Sequence, residues 1–110
     1  MNIALDFDGT FTEDPEAWHV FIDLFKNKGH SIFLITMRHP EEANRAMKDL
    51  SKKIPVVFTG RKAKQAFVGD NFKAHFWKEQ NKKWETEDRN GIAINVWIDD
   101  NPLWVLTDSH

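Results

Sequence analysis

Four short apolar runs punctuate this chain, and each closes on polar residues. Residues 3–7 lead into Asp8-Gly9-Thr10, residues 31–35 into Thr36, residues 55–59 into Gly60, and residues 92–98 into Asp99-Asp100. Runs this short and this continuous read as strands buried on both faces. The stretches between them read as helices. Asp14-Pro15 has the pattern of an N-cap followed by a proline at the first helical position. Trp18, Phe21, Ile22 and Phe25 then recur at helical spacing, and Gly29 is placed to stop the helix. A second helix is expected to open at Pro40-Glu41-Glu42, with Ala43, Ala46, Met47 and Leu50 as its stripe. A short third is expected over 63–68 and a fourth over 71–84, where Phe72, Phe76 and Trp77 are embedded in polar sequence. Residues 85–91 read as a loop, and Trp104 to Leu106 as a fifth strand or the start of a terminal helix. Strands alternating with helices predict an α/β fold: a three-layer α/β/α sandwich on a mostly parallel sheet of four or five strands.

The chain of 110 residues has room for one domain, and 41% apolar residues suffice for one modest core. Without cysteine it has no disulfide, thiolate metal site or cysteine nucleophile. No apolar run approaches a membrane span and the first residues lack a basic leader region, so a cytoplasmic chain without a membrane partner is expected. The net charge of −2 conceals an asymmetry. Residues 1–47 carry eight acids and four bases, residues 48–83 three acids and ten bases, and residues 84–110 six acids and one base. Acidic ends around a basic middle suit acids that hold a metal and bases that face an anion; a solvated helix face explains the bases equally well.

In parallel sheets, ligands sit at the carboxyl ends of the strands. Those ends carry Asp6-Phe7-Asp8-Gly9-Thr10, Thr36 with Met37 and Arg38, then Lys62 and Lys64 just past Gly60, then Asp99-Asp100. Asp6 and Asp8, two apart on an extended segment, are expected to point the same way. With Asp99 they offer an oxygen-only donor set, which suits Mg²⁺ over a softer metal. Such carboxylates repel one another unless a divalent cation and a lysine balance them. An isolated Asp-Gly-Thr would be an ordinary turn, and Asp99-Asp100-Asn101-Pro102 alone a helix cap. His19, His30, His75 and His110 have no ligand spacing.

In this order, the four groups resemble the motifs of the haloacid dehalogenase superfamily, over residues 3 to about 104. The resemblance implies a Rossmann-like sheet and a phosphomonoester hydrolase that forms an aspartyl-phosphate. Asp6 would be the nucleophile and Asp8 the acid and then the base. Thr36 would bind the transferring phosphoryl group, alongside backbone N–H groups near Phe7 and Asp8. Gly9, Thr10, Met37 and Arg38 would complete the substrate-facing set. Lys64, or else Lys62, would neutralise charge. Mg²⁺ would be held by Asp6, the Asp8 carbonyl and Asp99, with Asp100 in support.

Family members often insert a cap domain, and here the spacings from Asp8 to Thr36 and from Thr36 to Lys64 leave no room for one. A capless site is either open to a large substrate or covered by a neighbouring subunit. Residues 68–91, with Lys73, Lys78, Lys82 and Lys83 among Phe72, Phe76, Trp77 and Trp84, are the candidate substrate-facing insertion. Basic and aromatic residues interleaved in this way suit a nucleotide or a nucleic-acid end, though the same spacing fits the buried side of an amphipathic helix. The alternatives are a catalytically silent module that binds phosphate and Mg²⁺, or a receiver-like signalling domain. In receivers the acidic pair comes first, the reverse of the order here. Substrate identity and the choice between monomer and homo-oligomer are not fixed by the sequence.

Overall fold

A computed structural model of the chain describes residues 1–109; His110 lies outside the described residues. Six strands form one sheet: β1 (Asn2–Leu5), β2 (Ser31–Thr36), β3 (Val56–Phe58), β4 (Lys73–Lys78), β5 (Lys83–Asp88) and β6 (Val96–Ile98), in the order β5-β4-β3-β2-β1-β6. The helices are α1 (Pro15–Asn27), α2 (Arg45–Leu50), α3 (Lys64–Asp70) and α4 (Leu103–Leu106). None of them is long and apolar enough to cross a membrane.

Alternation along the strands splits the core between the two faces of the sheet. Ile3, Leu5, Ile32, Leu34, Val56 and Phe58 face one side, where Ile22 of α1 and Met47 and Leu50 of α2 cover them. Ala4, Phe33, Ile35 and Val57 face the other, beneath Val68 of α3 and beside Phe72. Helix α1 starts where its signals place it, for Asp14 Oδ1 accepts from the Ala17 N–H at 3.2 Å and Pro15 follows. The stretch expected as one second helix divides. A 3-10 turn at Pro40–Glu42 ends at Ala43 in extended backbone, and Asn44 then caps α2 through a 3.0 Å bond from the Met47 N–H.

The expectation of a mostly parallel, Rossmann-like sheet of four or five strands is overturned. The sheet is mixed: β2, β1 and β6 run parallel to their neighbours, as does β3 beside β2, whereas β3–β4 and β4–β5 pair antiparallel. The added strands come from 71–84, expected as a helix, and from the first part of the expected loop 85–91. Together these form a hairpin registered from Lys73↔Asp88 to Lys78↔Lys83. The misreading has a physical cause. Phe72 and Phe76 lie four apart, a spacing that satisfies both a helical period and a strand period of two. Trp77 and Trp84, seven apart, would stack on one helix face. Here they are cross-strand partners with ring centroids 5.3 Å apart.

The hairpin turn places Lys82 at φ 52°, in the left-handed region. That conformation costs a non-glycine residue ~1–2 kcal/mol, partly offset by the unfolded-state freedom that glycine adds. Lys82→Gly is therefore expected to raise the unfolding free energy by ~0.5–1 kcal/mol in urea titration. A helix across the same residues would lose about 1 kcal/mol to the same substitution, so the sign of the change separates the two folds.

Candidate active site

The carboxyl ends of β1, β2 and β6 and the segment after β3 border one cleft of about 430 Å³. Asp6 follows β1 directly, and its N–H donates to Ile98 O of β6 at 2.9 Å, extending the parallel pairing by one residue. Asp99 follows β6. Between them stands Lys64, the first residue of α3, its side chain almost wholly buried. The ammonium donates to Asp6 Oδ1 at 2.7 Å and to Asp99 Oδ2 at 2.5 Å. Thr10 Oγ1 lies 3.2 Å from Asp6 Oδ2 and accepts from the Asp100 N–H at 3.1 Å, tying the turn after β1 to the end of β6. Asp99 Oδ1 accepts from the Asn101 N–H at 3.0 Å.

Gly9 is required twice over. Its φ of 82° lies where L side chains are rarely found, and a Cβ there would collide with the Asp100 carboxylate.

Asp6, Asp99 and Asp100 each present an oxygen within 4.8 Å of the others. Asp6 and Asp99 share the one lysine with their side chains buried, and Asp100 stands exposed beside them, so three acids face a single cation. Burial pushes Asp6 up to about 7 from its ordinary 3.8, with the acids Asp100 and Asp99 adding to the rise and the Lys64 charge opposing it. An oxygen-only donor set with surplus negative charge fits a hard divalent cation such as Mg²⁺. The Asp8 side chain, expected to point with Asp6, does not join this group. The strand ends at Leu5, a turn follows, and period-two alternation stops with it. Asp8 still lines the cleft, where Arg38 clasps its carboxylate by Nε at 3.0 Å and by a terminal nitrogen at 2.7 Å.

The remaining expected residues divide. Thr36 is buried at the end of β2 and lines the cleft, its Oγ1 accepting from the Arg38 N–H at 3.2 Å. Met37 lines it as well. The Phe7 side chain is buried in the core, stacked on Phe11 at 5.5 Å, so its ring does not face the cleft. Gly9 donates its N–H to Thr12 Oγ1 and, with Thr10, borders a shallower hollow behind Asp99 and Asp100. Of the two lysines, Lys64 reaches the acids. Lys62 is exposed, with its nearest acid Asp108 at 3.9 Å.

Residues 68–91 do not border the cleft. Their hairpin occupies the sheet edge opposite β1 and β6. Three of its four lysines face acids of the same hairpin, Lys82 to Glu79 at 3.1 Å, Lys78 to Glu85 at 4.0 Å and Lys73 to Asp88 at 4.0 Å, while Phe72 is fully buried.

Sequence reasoning passed over Arg61 and Glu42. Both line the cleft and pair with each other at 2.7 Å. Arg61 has φ 72°, a conformation costing an L residue ~1–2 kcal/mol. Its place just past the third strand, at the ligand end of the sheet, was the available signal.

Comparison of the chain with protein families, with curated proteins and with solved structures gives no match.

The raised Asp6 has a consequence for stability. Between pH ~4 and ~7 the folded protein keeps a proton on Asp6 that the unfolded chain has released, so this contribution is full below the unfolded value and fades as pH rises through that window. Asp6→Asn cannot ionise. In metal-free buffer with chelator, its thermal midpoint relative to the wild type is expected to climb between about pH 5 and about pH 8. Equal midpoint differences at both values would refute a raised Asp6.

Proposed function

We propose that this chain is a Mg²⁺-dependent phosphomonoester hydrolase that works through an aspartyl-phosphate on Asp6. The observation that carries the reading is the buried Lys64 ammonium shared between Asp6 and Asp99, with Asp100 beside them, on an open cleft. As a fold clamp alone the arrangement is a poor choice. Desolvating an ammonium and two carboxylates costs several kcal/mol per ion, and a third acid alongside only adds repulsion. As a phosphoryl-transfer site it makes sense, because that chemistry needs a nucleophile, a cation clamp and little else. The ordered resemblance of Asp6-Phe7-Asp8-Gly9-Thr10, Thr36, Lys64 and Asp99-Asp100 to the haloacid dehalogenase motifs supports the same reading.

The chain's residues divide the work as follows. An Asp6 oxygen attacks phosphorus as the bond to the leaving oxygen breaks, and Asp8 gives that oxygen its proton. Asp8 then takes a proton from a water that attacks the aspartyl-phosphate, the bond to Asp6 breaks, and inorganic phosphate departs. Lys64 neutralises charge on Asp6 and on the phosphoryl oxygens throughout, and Thr36 lies at the cleft wall to bind them. Asp6, Asp99 and Asp100 would hold Mg²⁺, which supplies positive charge to the transferring phosphoryl group when bound.

Phosphate release from a panel of phosphomonoesters, with Mg²⁺ and with chelator, tests the proposal. Turnover that needs Mg²⁺ is expected. Asp6→Asn should reduce it by at least ~10³-fold, and Lys64→Ala by ~10²–10³-fold, the scale of losing one electrostatic stabiliser. Wild-type rates in Asp6→Asn, or rates indifferent to chelator, would rule the mechanism out.

A further inference from the structure

Two guanidinium groups share the cleft with the nucleophile, and each is built in the same way. One arm of Arg38 donates to Glu42 O at 2.9 Å, and one arm of Arg61 donates to Met37 O at 2.8 Å. These main-chain acceptors fix the planes of both groups. The other arms hold carboxylates: Arg38 clasps Asp8 in a two-toothed grip, and Arg61 holds Glu42 Oε2 at 2.7 Å. Asp8 is largely exposed and has no other partner among the described residues, so it can turn into solvent; Glu42 is partly exposed and keeps its other oxygen on the His39 N–H at 2.8 Å, so it can yield Oε2 without leaving its place. A guanidinium that grips a carboxylate with two parallel bonds presents the geometry that grips two phosphate oxygens.

The backbone is arranged to deliver Arg61. A left-handed arginine is uncommon, yet its N–H donates to Met37 O at 2.8 Å and its carbonyl accepts from the Ser109 N–H at 2.7 Å. Its neighbour Gly60, also left-handed, leaves space that a Cβ would take from the His39 ring. Strain maintained this firmly at a cleft points to a role for the side chain it positions. Trp104 lines the same cleft and offers an aromatic surface.

We propose that Arg38 and Arg61 form a subsite for a second phosphate on the substrate, so that the preferred ligand is a phosphomonoester bearing another phosphate within one nucleotide of the first. This rests on the phosphomonoesterase reading and names its substrate class. A free nucleoside bisphosphate and the phosphorylated end of an oligonucleotide share that chemistry, and in both a base is available to lie against Trp104. On binding, the second phosphate replaces Asp8 on Arg38 and Glu42 on Arg61.

Binding measured calorimetrically with Mg²⁺ in an Asp6→Asn background, where turnover is blocked, tests the subsite apart from catalysis. Adenosine 3′,5′-bisphosphate is expected to bind at least ~10-fold more tightly than adenosine 5′-monophosphate, and adding Arg61→Gly should cut that preference at least ~5-fold. Glycine suits the left-handed backbone, so the fold is expected to persist, with the thermal midpoint as the check. If Arg61→Gly unfolds, Arg61→Lys carries the test, since it keeps the charge but loses the fork and should retain only part of the preference. A 3′-phosphorylated dinucleotide forms the second arm: tighter binding than the bisphosphate assigns the site to nucleic-acid ends, and weaker binding to free nucleotides. Equal affinity for mono- and bisphosphate, or a preference untouched in the arginine variants, overturns the subsite even if phosphate release is observed. Absence of release from every phosphomonoester, with the preference intact, would leave the subsite standing and remove the hydrolase.

Discussion

One buried ammonium joins the ends of three segments that lie far apart in the sequence. Lys64 opens α3, Asp6 closes β1 and Asp99 closes β6, and the three converge because β1 and β6 are parallel neighbours while α3 packs on the sheet face that Phe33 and Val57 line. The dependence runs both ways. The lysine is the counter-charge and donor for two adjacent acids held away from water, and those acids are the acceptors that satisfy a lysine this deeply buried. Parallel pairing brings both acids to the same sheet end; antiparallel pairing of β1 and β6 would have carried Asp99 to the other.

Several costs gather around that ammonium. Asp6 is pushed well above the usual carboxylate range, Gly9 is confined by the Asp100 carboxylate, and Arg61 holds a left-handed backbone. None of these helps the chain fold. The core that sustains them is ordinary: alternating Ile, Leu, Val and Phe on β1, β2 and β3, covered by α1 and α2 on one face and α3 on the other. The division is informative, because strain and uncompensated charge in a folded protein concentrate where ligands are handled.

Much of this was legible from residue order. Asp14-Pro15 announced α1, and the polar closures of the first, second and last apolar runs announced the cleft. What was not legible failed for identifiable reasons. Residues 71–84 misled because spacings of four and seven satisfy a helix while also fitting a hairpin, and the Trp77–Trp84 pairing that decides between them is a cross-strand contact. Lys62 and Lys64 are chemically identical in sequence. What separates them is the helix start: Lys64 is the first residue of α3 and turns inward, whereas Lys62 sits in the preceding turn and faces Asp108. Asp8 parted from Asp6 because the strand stops at Leu5, a boundary that periodicity places poorly.

Charge pattern proved a weaker guide than backbone geometry. The basic middle of the chain suggests one surface for an anion, yet the fold scatters it: Lys73, Lys78 and Lys82 face acids of their own hairpin, far along the sheet from Asp6. From that whole basic stretch, Arg61 and Lys64 are the residues that border the cleft. Both are held by the main chain, one by a left-handed turn tied at its N–H and its carbonyl, the other by the first turn of a helix. A flexible lysine in a charged run can reach many positions and so specifies none. A cation whose backbone is pinned has already given up that freedom before a ligand arrives, which lowers the cost of ordering it on binding. In this chain the cations proposed to bind phosphate are therefore marked by constraint rather than by the density of charge around them.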